Sequence, residues 1–218
     1  MNHHSQDGVV ELLNMSGKGL NAADYLSILK HEGLALQPDA VMIGFYINDI
    51  EADPSNRPDH SFLPPFLHTM LSRGSYLYWY SYSMFDAWKN QERYLEYFLS
   101  YTSADSYDWE RFAIIWKEIL EICRENGLSA WVVILPQLHM LNDRHPFIPV
   151  YDRVAELSRK NGARVIDLFP AVRGREARYL WIGRTDSHPN EAAHRIFADH
   201  IYEIMVQVRP ADGRIGPK

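Results

Sequence analysis

The chain has 218 residues, 46% of them hydrophobic and 23% charged, with one cysteine and a formal net charge of −6; this is the composition of one folded globular domain. A single cysteine excludes a disulfide scaffold and a paired-cysteine zinc site. With 28 acidic against 22 basic residues and no dense Lys/Arg block, the chain lacks the basic footprint of a nucleic-acid partner.

No run approaches the ~20 apolar residues that a membrane span requires. The opening Met1–Gly8 carries neither the cationic nor the apolar region of a signal peptide, so the default expectation for the chain as it stands is cytoplasmic. Val9-Val10-Glu11-Leu12-Leu13-Asn14 reads as a strand, followed by a Gly17-Lys18-Gly19 loop. Asn21 can cap a helix carrying Tyr25, Leu26, Ile28 and Leu29. After a turn at Pro38-Asp39, the continuous apolar run Ala40–Tyr46 predicts a strand covered on both faces, ending at Asn48-Asp49.

An insert from about Glu51 to Tyr107 interrupts the pattern. Asp53 to Pro65 is loop-like, whereas Tyr76 to Tyr101 is rich in aromatic residues, with Tyr76, Tyr80, Met84 and Trp88 on one helical face. That face either walls a pocket for an acyl chain or sugar ring or packs on the core, and core packing is the expectation; an exposed aromatic patch would instead suit an oligomer contact. Beyond it, Trp109, Phe112, Ile115, Trp116, Ile119, Leu120 and Cys123 recur at helical spacing before a stop at Gly127. Ala130–Leu135 reads as a strand, Tyr151–Lys160 as a helix, and Ala163–Leu168 as a strand. The last helix runs from about Asn190 to Val208, and the tail beyond it is expected to be loose. Strands alternating with helices predict an α/β layer fold with a short, largely parallel sheet, whose ligands bind beyond the carboxyl ends of the strands. One domain spans residues 1–208.

Three local signals sit at element ends. Asn48-Asp49 follows an apolar strand; Gly19 lies in a loop where a backbone N–H can face a ligand; Asp186-Ser187-His188-Pro189-Asn190 precedes the last helix. A carboxylate two residues from an imidazole can fix the tautomer of His188 and leave its second nitrogen free as a general base. Each has a purely structural reading: a turn pair, a positive-φ glycine, and a helix start with proline in its first turn. The other histidines show no ligand spacing, so neither a metal nor a cofactor is expected. Gln137 and His139, just past the Leu135-Pro136 strand end, either reach the site or belong to an ordinary polar surface loop, which is the expectation.

Taken together, Asn14-Met-Ser-Gly-Lys-Gly19-Leu-Asn21, Gly-Phe-Tyr-Ile-Asn48-Asp49 and Asp186-Ser-His188-Pro-Asn190-Glu-Ala-Ala-His194 resemble three of the four sequence blocks of the SGNH/GDSL hydrolases, in the family's order, over about Val9 to Val208. The resemblance implies a three-layer α/β/α fold of flavodoxin-like type and ester or acyl-group hydrolysis by a Ser-His-Asp triad. It makes Gly19 and Asn48 the oxyanion donors, His188 the base and Asp186 its partner, with a small ester or acylated carbohydrate as substrate. Ala193 stands where the family usually has glycine.

The family's nucleophile lies in a Gly-Asp-Ser block at the end of a strand ahead of all these blocks, and no such block precedes Val9. A strand, loop, helix and second loop would need roughly 20 to 30 residues. The expectation is therefore an N-terminally truncated hydrolase, nearly inactive as it stands, from which a signal or anchor has also been lost. Ser5 and Ser16 do not occupy the nucleophile position. A non-catalytic sugar- or acyl-binding or interaction protein, and a carbohydrate O-acyltransferase, are the alternatives.

Overall fold

Parallel strands must be joined by long crossovers, and a strand at the centre of such a sheet is apolar on both faces. The computed structural model, which describes residues 11–52, 63–103, 105–184 and 186–207, has this arrangement. β1 (Ala40–Phe45), β2 (Ser129–Ile134) and β3 (Arg164–Asp167) form a parallel sheet in that spatial order. Val132 lies opposite Ile43 on one side and Val165 on the other. Every residue of β2 is buried. Its side chains alternate between two cores: Ala130, Val132 and Ile134 enter one, Trp131 and Val133 the other.

The first core is closed by α1 (Ala22–Ile28), α4 (Tyr107–Glu125) and α5 (Ile148–Lys160). Phe112, Trp116, Ile119 and Cys123 from α4 meet Ile43 and Phe45 from β1 and Val150 and Val154 from α5. Trp116 stacks on Phe112 at 5.0 Å and meets Phe45 edge-on at 6.0 Å. Its indole Nε1 donates to Ser158 Oγ at 2.9 Å, so this large buried ring leaves no polar atom unpaired. Gly127, at φ +67°, ends α4 in the left-handed conformation that glycine adopts without strain.

The second core is closed by α6 (Phe169–Val172) and α7 (Glu191–Gln207), whose Phe169, Val172, Ala193 and Phe197 pack with Trp131, Val133 and Ile166. Helices on both faces make the α/β class plain, as the alternation predicts. Between α6 and α7 lies an antiparallel pair that the sequence pattern does not announce, β4 (Trp181–Gly183) with β5 (Asp186–Pro189). Asp186 and His188, expected in a loop, are therefore on a short strand.

Three further expectations change. Of the expected first strand, Val9 and Val10 lie outside the described residues, and Glu11–Asn14 adopt no regular structure; Leu12 and Leu13 are exposed, with no neighbouring strand among the described residues to pair them. β1 is covered on one face only: Ile43 and Phe45 are buried, whereas Met42 is 41% exposed and Gly44 is also exposed. The continuous apolar run suggested two covered faces, but β1 is an edge strand among the described residues, and α6 and α7 cover β2 and β3 instead.

The insert forms α2 (Pro65–Gly74) and α3 (Tyr76–Tyr101). Core packing holds at the carboxyl end of α3, where Tyr101 is buried and Tyr97 and Phe98 pack on the first core. It fails at the amino end, where Tyr76 is 76% and Leu77 74% exposed, with Trp79, Tyr80 and Met84 also open. There Tyr78 and Tyr82 face α2 through the His68 ring, 4.4 Å from Tyr82, and the opposite face is left uncovered. The side chain of Trp88, the loop at 53–62 and the tail beyond 207 lie outside the described residues. Among the described residues no helix is long and apolar enough to cross a membrane.

Ser158→Ala, which strands the Trp116 N–H in the core, is expected to destabilise the domain by about 1–3 kcal/mol. Leu77→Ser, on the open face, is expected to stay within about 0.5 kcal/mol of the parent. Urea denaturation of both variants checks the pair, and equal losses would contradict the assignment of a buried, paired Trp116 and an open Leu77.

Candidate functional site

β1 runs out into a tight 3₁₀ turn, Ile47–Ile50, whose backbone bonds to its flanks are Asp49 N–H to Tyr46 O at 2.9 Å and Glu51 N–H to Asn48 O at 3.1 Å. The Asp49 carboxylate, 3% exposed, turns back on this segment. Its Oδ2 accepts the Tyr46 N–H at 2.8 Å and its Oδ1 accepts the Tyr25 hydroxyl of α1 at 2.9 Å. Burial pushes this carboxyl up to about 7; the two donated hydrogen bonds pull the other way and are outweighed. Burial and the nearby Asp49 push the Tyr46 phenol up to about 12, and the same two causes raise Tyr25.

Asn48, one residue earlier, is half-buried, and its side-chain amide makes no hydrogen bond to the described residues. The turn is tied outward as well. Glu51 accepts from the Tyr97 hydroxyl of α3, and Ala52 N–H donates to Asp108 of α4 at 2.7 Å.

Gly19 is exposed at φ +76°, a conformation that favours glycine. Two residues later Asn21 caps α1, its Oδ1 accepting from Ala23 N–H at 2.9 Å while Asp24 returns a bond to Asn21 N–H at 2.9 Å. The Gly19 N–H itself is unbonded among the described residues.

On β5, His188 Nδ1 and Asp186 Oδ1 are 2.5 Å apart, and the same oxygen accepts the His188 backbone N–H at 3.0 Å. These hydrogen bonds hold the Asp186 carboxyl below its ordinary range. With Nδ1–H given to the carboxylate, the lone pair of the imidazole is on Nε2, and the side chain is 77% exposed. Asn190 secures the strand from behind, donating to the carbonyls of Tyr179 at 2.9 Å and Trp181 at 3.1 Å while accepting Ala193 N–H at 3.1 Å as the cap of α7. Ala193 itself is fully buried against the second core.

The hairpin is docked by Trp181, whose Nε1 donates to Leu138 O at 2.5 Å and whose ring lies 5.0 Å from that of His139. Leu138 and His139 belong to the segment that leaves the carboxyl end of β2. Asn48 lies beyond the carboxyl end of β1, so both groups are anchored at the end of the parallel sheet where α/β folds place ligands. His139 is thus packed against the hairpin instead of lying on an open surface loop, and Gln137 contributes its backbone, donating N–H to the Tyr151 hydroxyl at 2.9 Å.

The four expected site residues fall into one joined pair and two separate residues. Asp186 and His188 are in contact, Asn48 lies in the turn that Asp49 ties to Tyr46 and Tyr25, and Gly19 stands before α1; among the described residues no hydrogen bond links the histidine pair to Asn48 or Gly19, and no hydroxyl is bonded to His188. Ser16 Oγ is engaged with Asn14 Oδ1 at 2.7 Å, and Ser5 lies outside the described residues. A shallow depression of about 610 Å³ beside the hairpin is lined by Asn190, Glu191, Ala192, Arg195 and Ile196. Among the described residues no three His, Cys, Asp or Glu side chains are grouped so as to hold a metal ion. Cys123 is buried, and burial pushes its thiol up to about 11.

Sequence reasoning named Asp49 only as part of a turn pair and Tyr25 only as a helix-face residue. A carboxylate at the mouth of an apolar strand was the available signal, since burial there demands a donor from elsewhere in the fold. No family model, curated protein or solved structure matches the chain.

The raised Asp49 carboxyl has a definite sign in stability. A carboxyl titrating higher in the folded than in the unfolded chain contributes stability that is complete below the unfolded value near 4 and lost as pH rises through about 7. The melting temperature of Asp49→Asn relative to the parent is therefore expected to rise from pH 5 to about pH 7 and to level off by pH 8. A difference that is flat over this range would contradict it.

Proposed function

We propose that the domain is an SGNH-type serine esterase or O-acyl hydrolase. The observation that carries this reading is the Asp186–His188 pair at 2.5 Å, its imidazole side chain exposed, on a hairpin docked at the carboxyl end of the sheet. The half-buried Asn48 amide, uncommitted among the described residues, supports it. So does the exposed Gly19 N–H.

In this chemistry a serine hydroxyl attacks the ester carbonyl while His188 Nε2 takes its proton. The tetrahedral oxyanion is met by Gly19 N–H and the Asn48 amide; His188 then returns the proton to the leaving alcohol. Asp186 holds the Nδ1–H tautomer and stabilises the imidazolium that forms. Water repeats the sequence on the acyl-enzyme. No residue of this chain is assigned as nucleophile, and a Gly-Asp-Ser block encoded upstream in the same frame is its expected carrier. With a sugar hydroxyl in place of water the same steps would make the domain an O-acyltransferase.

A second reading, a non-catalytic sugar- or acyl-binding domain, is favoured by one observation: His188 has no hydroxyl bonded to it among the described residues.

The test is turnover of p-nitrophenyl acetate by the longest protein the reading frame encodes, set against the chain Met1–Lys218. Turnover by the longer form alone is expected. Asp186→Asn should cost it about 10⁴-fold, and Asn48→Ala about 10²–10³-fold. Turnover that survives His188→Ala unchanged would remove the assignment. Saturable binding of an O-acetylated sugar without turnover, in a frame with no upstream Gly-Asp-Ser, would establish the second reading.

A further inference from the structure

We propose that Asp49 is a positioning residue that sets the two proposed oxyanion donors against each other, one carboxylate oxygen bonded to the turn that carries Asn48 and the other to Tyr25 on the helix that begins just after Gly19. The inference rests on the esterase reading of Asn48 and Gly19, and goes beyond it in assigning how their separation is maintained.

The geometry is specific. Oδ2 takes Tyr46 N–H at 2.8 Å and closes the turn on itself; Oδ1 takes the Tyr25 hydroxyl at 2.9 Å and reaches a different element. Tyr25 N–H in turn donates to Asn21 O at 3.0 Å, so Tyr25 lies in the first turn of α1 and only a few residues beyond Gly19. The side chain thus adds two bonds to the backbone bonds of the 3₁₀ turn. Asparagine offers an accepting oxygen at only one of these two positions, and glutamate adds a methylene to a buried turn.

The donors facing this carboxylate are Tyr25 on α1 and the Tyr46 backbone. Asp24 on α1 acts electrostatically on Tyr25, Tyr151 on α5 interacts with Tyr46, and Glu51 in the same segment is held by Tyr97. No cation bonds to Asp49 among the described residues. The Asn48 amide takes no part in the brace and is left available for a ligand.

The experiment is a pH titration of the ¹⁵N-labelled chain Met1–Lys218, following the Asn48 side-chain amide and the Gly19 backbone amide. Both are expected to shift together with one midpoint near 7, the value about which Asp49 titrates. In Tyr25→Phe, which removes only the hydroxyl, the Gly19 response should vanish while the Asn48 response persists. In Asp49→Asn both should vanish with the folded dispersion of the spectrum retained; if that variant does not fold, Tyr25→Phe decides alone. A Gly19 titration that survives Tyr25→Phe unchanged overturns the brace. In an ester-active longer form, Tyr25→Phe should lower kcat about tenfold with KM unchanged. Unchanged turnover in Asn48→Ala would sink the esterase reading instead, with the titration result left intact.

Discussion

Ser129–Ile134 must bury side chains on both faces at once, and the rest of the molecule is arranged around that requirement. A strand with two apolar faces needs a neighbour on each edge and a helical layer above and below, because every exposed methylene there costs about 0.8 kcal/mol. β1 and β3 supply the edges; α4 and α5 cover one face, while α6 and α7 cover the other. Trp116 and Trp131, on opposite sides, are bulky enough to set the spacing of both layers.

Parallel pairing then decides where chemistry can sit. All three strands finish at the same end, and the chain leaves each of them through a segment pinned by buried or half-buried polar groups. After β1, Asp49 folds the turn back on Tyr46 and Tyr25. After β2, the buried His145 accepts Phe147 N–H on Nδ1 at 3.2 Å and pairs through Nε2 with Gln137 O at 2.9 Å, and burial keeps the ring below its ordinary range, hence neutral. Leu138, one residue beyond Gln137, receives the Trp181 indole, so the order imposed by His145 passes to the hairpin that holds His188. After β3, Asp167 accepts Phe169 N–H at 2.9 Å and starts α6. Backbone groups that would otherwise be stranded at the sheet's mouth are thereby satisfied, while the Asn48 amide and the outer nitrogen of His188 make no hydrogen bond among the described residues.

The local contacts of the site were open to sequence reasoning because they are short in sequence. Asp186 and His188 are two residues apart, and a carboxylate at that spacing meets an imidazole with little help from the rest of the fold. The cap at Asn21, the stop at Gly127 and the last helix follow equally from near neighbours. Asp49 was different: its partner Tyr25 is 24 residues away on another element. The β4–β5 hairpin, three and four residues long, has too little periodicity to be read, and it owes its place to the Trp181 contact with Leu138.

What the amino-acid sequence determined by itself is the α/β class, the helices with strong apolar stripes and the Asp186–His188 pairing, since each depends on residue type at short spacing. The tertiary structure decided which apolar surfaces are covered. The run Ala40–Tyr46 and the aromatic stretch Tyr76–Tyr101 are both rich in apolar residues, yet β1 is open on its Met42 face and α3 is open at its amino end. Hydrophobicity states only that burial would be favourable; whether it happens depends on a partner element arriving from elsewhere in the chain, and that is a property of the assembled fold.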